Sequence, residues 1–310
     1  MNQTIKTPEK VTSYIGGKWL DPKESSHQIP VIHPANENHV STLYEADINE
    51  VKLASETAKK TFKSGIWSQA SMEDRKAVLL RIKDLILENQ EEIATLEVMN
   101  TGAPITQAFG RQIPRSAMNF EFFAEFISQA TSPVFDQNPN YMTYVRREPV
   151  GVAGLIAPWN APMALATMKV AGAIAFGNSC ILKPSELTPL GFVPFMDLLS
   201  SAGLPEGVIN MVNGRGEITG TAMTQNSDID VIAFTGGTET GRVIGSEAGK
   251  TLKKIVTELG GKSANIIFSD ADFDRALDAA MVAIFSNNGQ QCLAGSRILV
   301  EKKVAKEFKD

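Results

Sequence analysis

Cysteine and histidine are scarce in this chain of 310 residues, which has two of the first and three of the second. Two thiols cannot build a disulfide framework, and such usage suits a reducing compartment. His27, His33 and His39 all stand in the N-terminal edge region, so the sequence offers neither a metal cluster nor a histidine partner for a cysteine hydrolase. A basic excess is missing too. Lys and Arg total 30 against 35 Asp and Glu, a formal charge of −5, and the cations are scattered, so nucleic acid is not an expected partner. Gly and Pro interrupt every apolar stretch before membrane-spanning length, and residues 1–8 carry no apolar signal core. A cytoplasmic protein without a membrane partner is therefore expected.

With 43% hydrophobic and 21% charged residues, the chain has the balance of a soluble globular protein of one large domain or two. Residues 11–45 read as short strands and turns, with Ile15-Gly16-Gly17-Lys18-Trp19 as a tight hairpin. From Asp47 the period becomes helical: Val51, Ala54, Ala58 and Phe62 mark one helix, and Ala77, Leu80, Ile82, Leu85 and Ile86 a second, opened by a Ser71/Asp74 capping pattern. A third carries Ile93, Leu96, Glu97 and Met99 and stops at Gly102 and Pro104. A fourth is predicted from Ile105 to Gln129, with Phe120, Phe122, Phe123 and Phe126 expected in the core. Residues 133–140 read as a polar break, and residues 141–148 alternate as a strand. From Gly151 onward strands (152–157, 179–182, 208–212, 229–234) alternate with helices (163–176, 191–201), which implies an α/β fold with a parallel sheet covered on both faces.

Two side chains stand out for chemistry. A cysteine is most often a small buried hydrophobe, and Cys180, in Asn178-Ser179-Cys180-Ile181-Leu182, reads that way. Cys292 does not, because it lies in Gly289-Gln290-Gln291-Cys292-Leu293-Ala294-Gly295-Ser296-Arg297. Small and amide neighbours there leave room for a substrate, and backbone N–H groups are free for developing negative charge. Glu258 ends the apolar run Ile255-Val256-Thr257 just before Leu259-Gly260-Gly261, which delivers a carboxylate at a strand end. Lys183 and Glu186 follow another strand, where ligands of open parallel sheets bind. The glycines of Phe234-Thr235-Gly236-Gly237-Thr238-Glu239-Thr240-Gly241 permit close approach of a pyrophosphate to a helix N-terminus. Asn160 could donate hydrogen bonds to an alkoxide without losing a proton.

Together, Ala157-Pro158-Trp159-Asn160, Lys183-Pro184-Ser185-Glu186, Phe234 to Gly241, Glu258-Leu259-Gly260-Gly261-Lys262 and Gly289-Gln290-Gln291-Cys292 resemble the aldehyde dehydrogenase superfamily, in that family's order. Gly237 stands where the family more often has serine. The resemblance implies a Rossmann-like NAD-binding domain (residues 1–140 and 151–259), an oligomerisation arm strand (141–150) and the start of an α/β catalytic domain (260–310). It implies Cys292 as nucleophile, Asn160 as oxyanion donor, Glu258 as the base for thioester hydrolysis, and Lys169 as a cation that lowers the thiol pKa or relays protons. Cofactor contacts are implied at Ile156, Trp159, Lys183, Glu186, Gly216, Gly220, Phe234, Thr235, Gly236, Gly237 and Leu259. Because a carboxylate such as Glu186 accepts from ribose hydroxyls and repels a 2′-phosphate, NAD is expected rather than NADP. The resemblance implies a small aldehyde as substrate, and the full-length form is expected to be a homodimer or homotetramer. Family members continue well past the cysteine, so an alternative expectation is a truncated or inactive dinucleotide-binding fragment without turnover. Residues 113–125 are similar to the corresponding helix of muconate-type semialdehyde dehydrogenases. Arg115 is then a candidate anchor for a substrate carboxylate, with Arg111 one turn earlier as the alternative.

Overall fold

A computed structural model describes residues 5–309. Strands β1 (Lys10–Val11), β2 (Tyr14–Ile15) and β3 (Lys18–Trp19) open the chain. Gly16 and Gly17 turn β2 into β3 with φ of 59° and 84°, the mirror-image turn that a tight hairpin needs. Strands β4 (Gln28–Ile32) and β5 (His39–Tyr44) form an antiparallel pair, and β1 joins β5 to complete a three-stranded sheet.

Helices α1 (Ile48–Ser64), α2 (Met72–Glu88) and α3 (Gln90–Thr101) follow the predicted periods. Asp47 caps the backbone N–H of Glu50, and Ser71 caps that of Asp74. Gly102, at φ 69°, ends α3 as expected. The predicted fourth helix is broken into three parts: α4 (Ile105–Gln107), a π turn over Ala108–Gln112, and α5 (Ile113–Gln129). Pro114 explains the break, because it lacks the N–H that would bond Gly110 and its ring crowds that carbonyl. The ladder widens instead, and Ile113 N–H donates to Ala108 C=O. Two of the four phenylalanines expected in the core are on the surface. Phe120 is fully buried and Phe123 packs against the core, whereas Phe122 and Phe126 are exposed and stack on each other at 6.0 Å. The expected break at 133–140 also gives way to a hairpin of β6 (Val134–Asn138) and β7 (Tyr141–Tyr144), with nearly every residue exposed.

The central sheet is built from β8 (Val152–Ile156), α6 (Pro162–Ala175), β9 (Ser179–Lys183), α7 (Phe192–Ser201), β10 (Ile209–Met211), α8 (Thr221–Gln225), β11 (Val231–Gly236), α9 (Thr238–Gly249) and β12 (Lys254–Leu259). Its seven strands run β12-β11-β8-β9-β10-β2-β3; the first five are parallel and the N-terminal hairpin closes the far edge antiparallel. Every residue of β8 and β9 is buried, which is why both read as continuous apolar runs. From β8 the chain moves outward through β9 and β10, then returns to the other side of β8 as β11 and β12. The strand order therefore reverses between β8 and β11, and a crevice opens at such a point beyond the strands' carboxyl ends.

Past β12 lie β13 (Ala264–Ile267), α10 (Phe273–Phe285), a short left-handed turn at Ser286–Gly289, β14 (Arg297–Val300) and α11 (Ala305–Lys309). Strands β13 and β14 pair parallel. Among the described residues, no helix is long and apolar enough to cross a membrane.

Candidate active site

The crevice at the reversal gathers the ends of four strands. Ile156 ends β8 in register with Phe234 of β11, Lys183 ends β9, and Leu259 ends β12 opposite Gly236. Trp159 is exposed beyond β8. After β11, Gly237 caps α9 without any side-chain hydrogen bond, so the first N–H groups of that helix point outward uncapped. A Cβ on Gly237 would meet nothing within 4 Å, and the same holds at Gly216 in the π turn Gly216–Gly220. That open cradle at a helix N-terminus fits the pyrophosphate of a dinucleotide. Lys183, only 2% exposed, has its ammonium 3.5 Å from Glu186 and 3.1 Å from the Pro184 carbonyl. Burial pulls its pKa below the usual lysine value, with Glu186 opposing the change. Gly220 lies beside the lysine stem, since a Cβ there would sit 3.9 Å from it.

The second half of the site is a cleft of about 520 Å³ lined by the π turn, the start of α5, the first turns of α6 and the loop carrying Cys292. Cys292 is exposed in it, whereas Cys180 is buried in β9 and its thiol pKa is pushed well up by burial. Asn160, Arg111 and Arg115 line the same cleft. Asn160 donates from its amide to Gln290 C=O at 2.7 Å, which leaves the second amide hydrogen uncommitted. The backbone N–H of Cys292 donates to no group among the described residues. Asn160 and Cys292 therefore line one cleft, each with an N–H that no group among the described residues accepts, and such donors suit a developing oxyanion.

Lys169 and Glu258 stand apart from that cleft. Lys169 donates to Thr235 Oγ1 at 2.5 Å, and Glu258 pairs in register with Thr235 on the neighbouring strand. Burial lowers the lysine pKa to about 8, against the pull of the Glu258 charge. Lys169 thus bonds Thr235 and feels the Glu258 charge, and no contact joins it to the thiol among the described residues. Glu258 is exposed, and the glycine turn that follows it abuts the nucleophile loop: a Cβ on Gly261 would come within 3.1 Å of the Cys292 carbonyl.

Three features escaped the sequence reading. Arg215 clamps Glu45 through two guanidinium contacts at 3.0 and 2.7 Å and a backbone N–H at 2.7 Å, which ties the π turn to β5's exit. Glu97 is completely buried in α3; one carboxylate oxygen accepts from the Met163 N–H at the start of α6 and the other has no partner. Burial raises its pKa to about 7. A carboxylate at a core position of an otherwise apolar helical stripe was the signal available for it. Asn287, in the left-handed turn, binds the cleft wall and the Asn160 loop at once. Its signal was the Asn-Asn-Gly string.

The profile of the aldehyde dehydrogenase family matches residues 19–310, and the chain belongs to that family. It is 41% identical over 300 residues to the 5-carboxymethyl-2-hydroxymuconate semialdehyde dehydrogenase of Escherichia coli, covering 97% of this chain and 63% of that protein. The fold is that of the solved NAD+ complex of an aldehyde dehydrogenase from Bacillus cereus, with a TM-score of 0.94 at 35% identity, over 97% of this chain and 61% of that one. The indole-3-acetaldehyde dehydrogenase AldA of P. syringae, solved as a mutant with NAD+ and IAA, aligns equally well at 34% identity, over 99% of this chain and 62% of that one. The chain spans about six-tenths of the length of these relatives.

Proposed function

We propose that the protein oxidises an aldehyde to the carboxylic acid with NAD as acceptor. The observation that carries this reading is the exposed Cys292 in one cleft with Asn160, two residues that each keep an uncommitted N–H donor. Lys183 and Glu186 would meet the adenosine ribose, the α9 N-terminus with Gly236 and Gly237 the pyrophosphate, and Ile156, Trp159, Phe234, Thr235 and Leu259 the faces of the two rings. Gly216 and Gly220 leave space above Lys183. The chemistry NAD supplies when bound is acceptance of the hydride released as a thiohemiacetal becomes a thioester.

The chain's own residues supply the rest. The Cys292 thiolate adds to the aldehyde carbon, and the carbonyl electron pair moves to oxygen, held by Asn160 Nδ2 and the Cys292 N–H. Glu258 takes a proton from water, which attacks the thioester and expels the thiolate, leaving the acid. Lys169 holds Thr235, the residue in register with Glu258 on the neighbouring strand.

For substrate, Arg111 and Arg115 on the cleft wall favour a semialdehyde bearing a carboxylate, in keeping with the name of the E. coli relative. Neither arginine has an ion-pair partner among the described residues. Residues 1–140 and 151–259 would form the cofactor domain, and residues 260–310 the start of the catalytic domain. The exposed apolar residues of the β6–β7 hairpin support a cytoplasmic homo-oligomer of two or four copies built through the arm. Aldehyde-dependent NADH absorbance tests the proposal: Cys292→Ala is expected to abolish it while NAD affinity, measured by calorimetry, stays within about two-fold. Turnover that persists in the alanine variant would remove the cysteine from the mechanism.

A further inference from the structure

Asn287 is 5% exposed and sits at φ 52°, followed by Asn288 at 56° and Gly289 at 74°. Three successive left-handed residues form a turn that only Asn and Gly enter readily, and such strain persists where surrounding contacts hold it. Here the contacts come from three separate segments. The Asn287 amide nitrogen donates to Asn160 C=O at 2.7 Å and to Gln290 C=O at 3.3 Å. Its amide oxygen accepts from Gln112 Nε2 at 2.8 Å and from Gln107 Nε2 at 3.4 Å, and its backbone N–H donates to Gln107 Oε1 at 3.3 Å. Its carbonyl accepts the Gln290 N–H at 2.9 Å. Next door, Asn288 reaches Gly102 C=O at 3.0 Å.

Gln290 C=O is the shared acceptor, taking one bond from the Asn160 amide and one from Asn287. The placement of Asn160 and of the Cys292 loop therefore depends on the Asn287 side chain, which borders the same cleft. Gln107 and Gln112 flank the π turn on the cleft wall, and Pro114 is what opens that turn. Without the turn, two residues five apart would not share a face.

We propose that Asn287 is a positioning residue, fixing the Cys292 loop and the Asn160 amide against the π-turn wall so that both oxyanion donors meet at the sulfur. This rests on the reading of Cys292 as the nucleophile. A loop held in one place also sets how the sulfur meets a small electrophile, so the role can be read without turnover.

The test is the iodoacetamide alkylation rate of Cys292 as a function of pH, followed by mass spectrometry on the protein as it exists. Asn287→Gly keeps the left-handed backbone and removes only the amide. Alkylation at neutral pH is expected to slow by about three- to ten-fold, as befits the loss of one or two hydrogen bonds that hold the loop. Gln112→Met, which cuts the wall-side bond at nearly constant volume, should move the rate in the same direction by less. If Asn287→Gly alkylates at the unsubstituted rate, the amide does no positioning and the proposal falls. Should that variant fail to fold, the Gln112→Met result decides alone, an unchanged rate overturning the idea. In active protein, Asn287→Gly should lower kcat with little change in aldehyde KM, and combining it with Asn160→Ala should cost no more than the worse single change. Unsubstituted protein that alkylates at Cys292 yet yields no aldehyde-dependent NADH would count against the proposed function and leave the positioning role standing.

Discussion

Strands β9 and β12 end in functional side chains of opposite sign, but their surroundings differ. All of β9 is buried, and Lys183 at its end is held in a dry pocket with Glu186. Most of β12 is exposed, and so is Glu258 near its end. The difference extends past the strands. Each buried apolar cluster draws its members from residues up to Leu259, whereas α10 buries only Ala280 and leaves Leu277, Met281, Val282 and Phe285 outward. The cofactor half is positioned by its own core. The half that carries Cys292 is positioned by hydrogen bonds to that core, through Asn160, Asn287 and Asn288.

Substitutions can break or sharpen that contrast. Glu258→Gln should have the largest effect short of losing the cysteine: a burst of NADH followed by steady turnover slowed by about 10² or more, because thioester hydrolysis loses its base. An unchanged steady rate in rapid-mixing kinetics would rule Glu258 out. In the buried half, Glu97→Gln is expected to change stability rather than chemistry. With its carboxyl pKa raised to about 7 by burial, the folded state binds a proton that the unfolded state has released. Its contribution is thus fully present below the unfolded value near 4.5 and lost as pH rises through 7, a fall of about 3 kcal/mol. Denaturant midpoints should show that decline in the unsubstituted protein and little of it in the variant; parallel pH curves would mean that Glu97 is ionised throughout.

Smaller effects belong to the cleft. Arg115→Ala should raise KM for a carboxylate-bearing semialdehyde by about ten-fold or more, on the order of 1.5 to 3 kcal/mol for a charged hydrogen bond, and leave a neutral aldehyde of similar length nearly unaffected. Equal effects on both substrates would assign the arginine to the fold. The smallest is a shape change: Lys169→Met should erase an inflection near pH 8 in the rate profile, since burial brings the lysine there. An inflection that survives belongs to another group.

What the sequence made legible follows from how local each signal is. β8 and β9 are apolar without interruption because both faces are covered, so their sequences alone reveal them. The π turn was hidden because it depends on a bond between Ile113 and Ala108 that no helical period encodes. Phe122 and Phe126 lie one turn apart on the face away from Phe120, so the helical period itself separates them from the buried stripe of Ile113, Ala117, Phe120, Ala124 and Ile127. The motif residues Cys292, Asn160 and Glu258 stood out by chemical type and neighbours. Asn287 offered only the turn signal of Asn-Asn-Gly and not its role, because its partners Gln112 and Gln107 lie 175 and 180 positions away.

The contrast between the two cysteines has a practical consequence. Cys292 is open to solvent and Cys180 is sealed in β9, so native chains should titrate one thiol each with a colorimetric disulfide reagent, and denatured chains two. The ratio is a census of folded molecules that needs neither substrate nor cofactor. Because the reagent marks the residue proposed to attack the aldehyde, the same trace that counts folded protein also counts usable active sites.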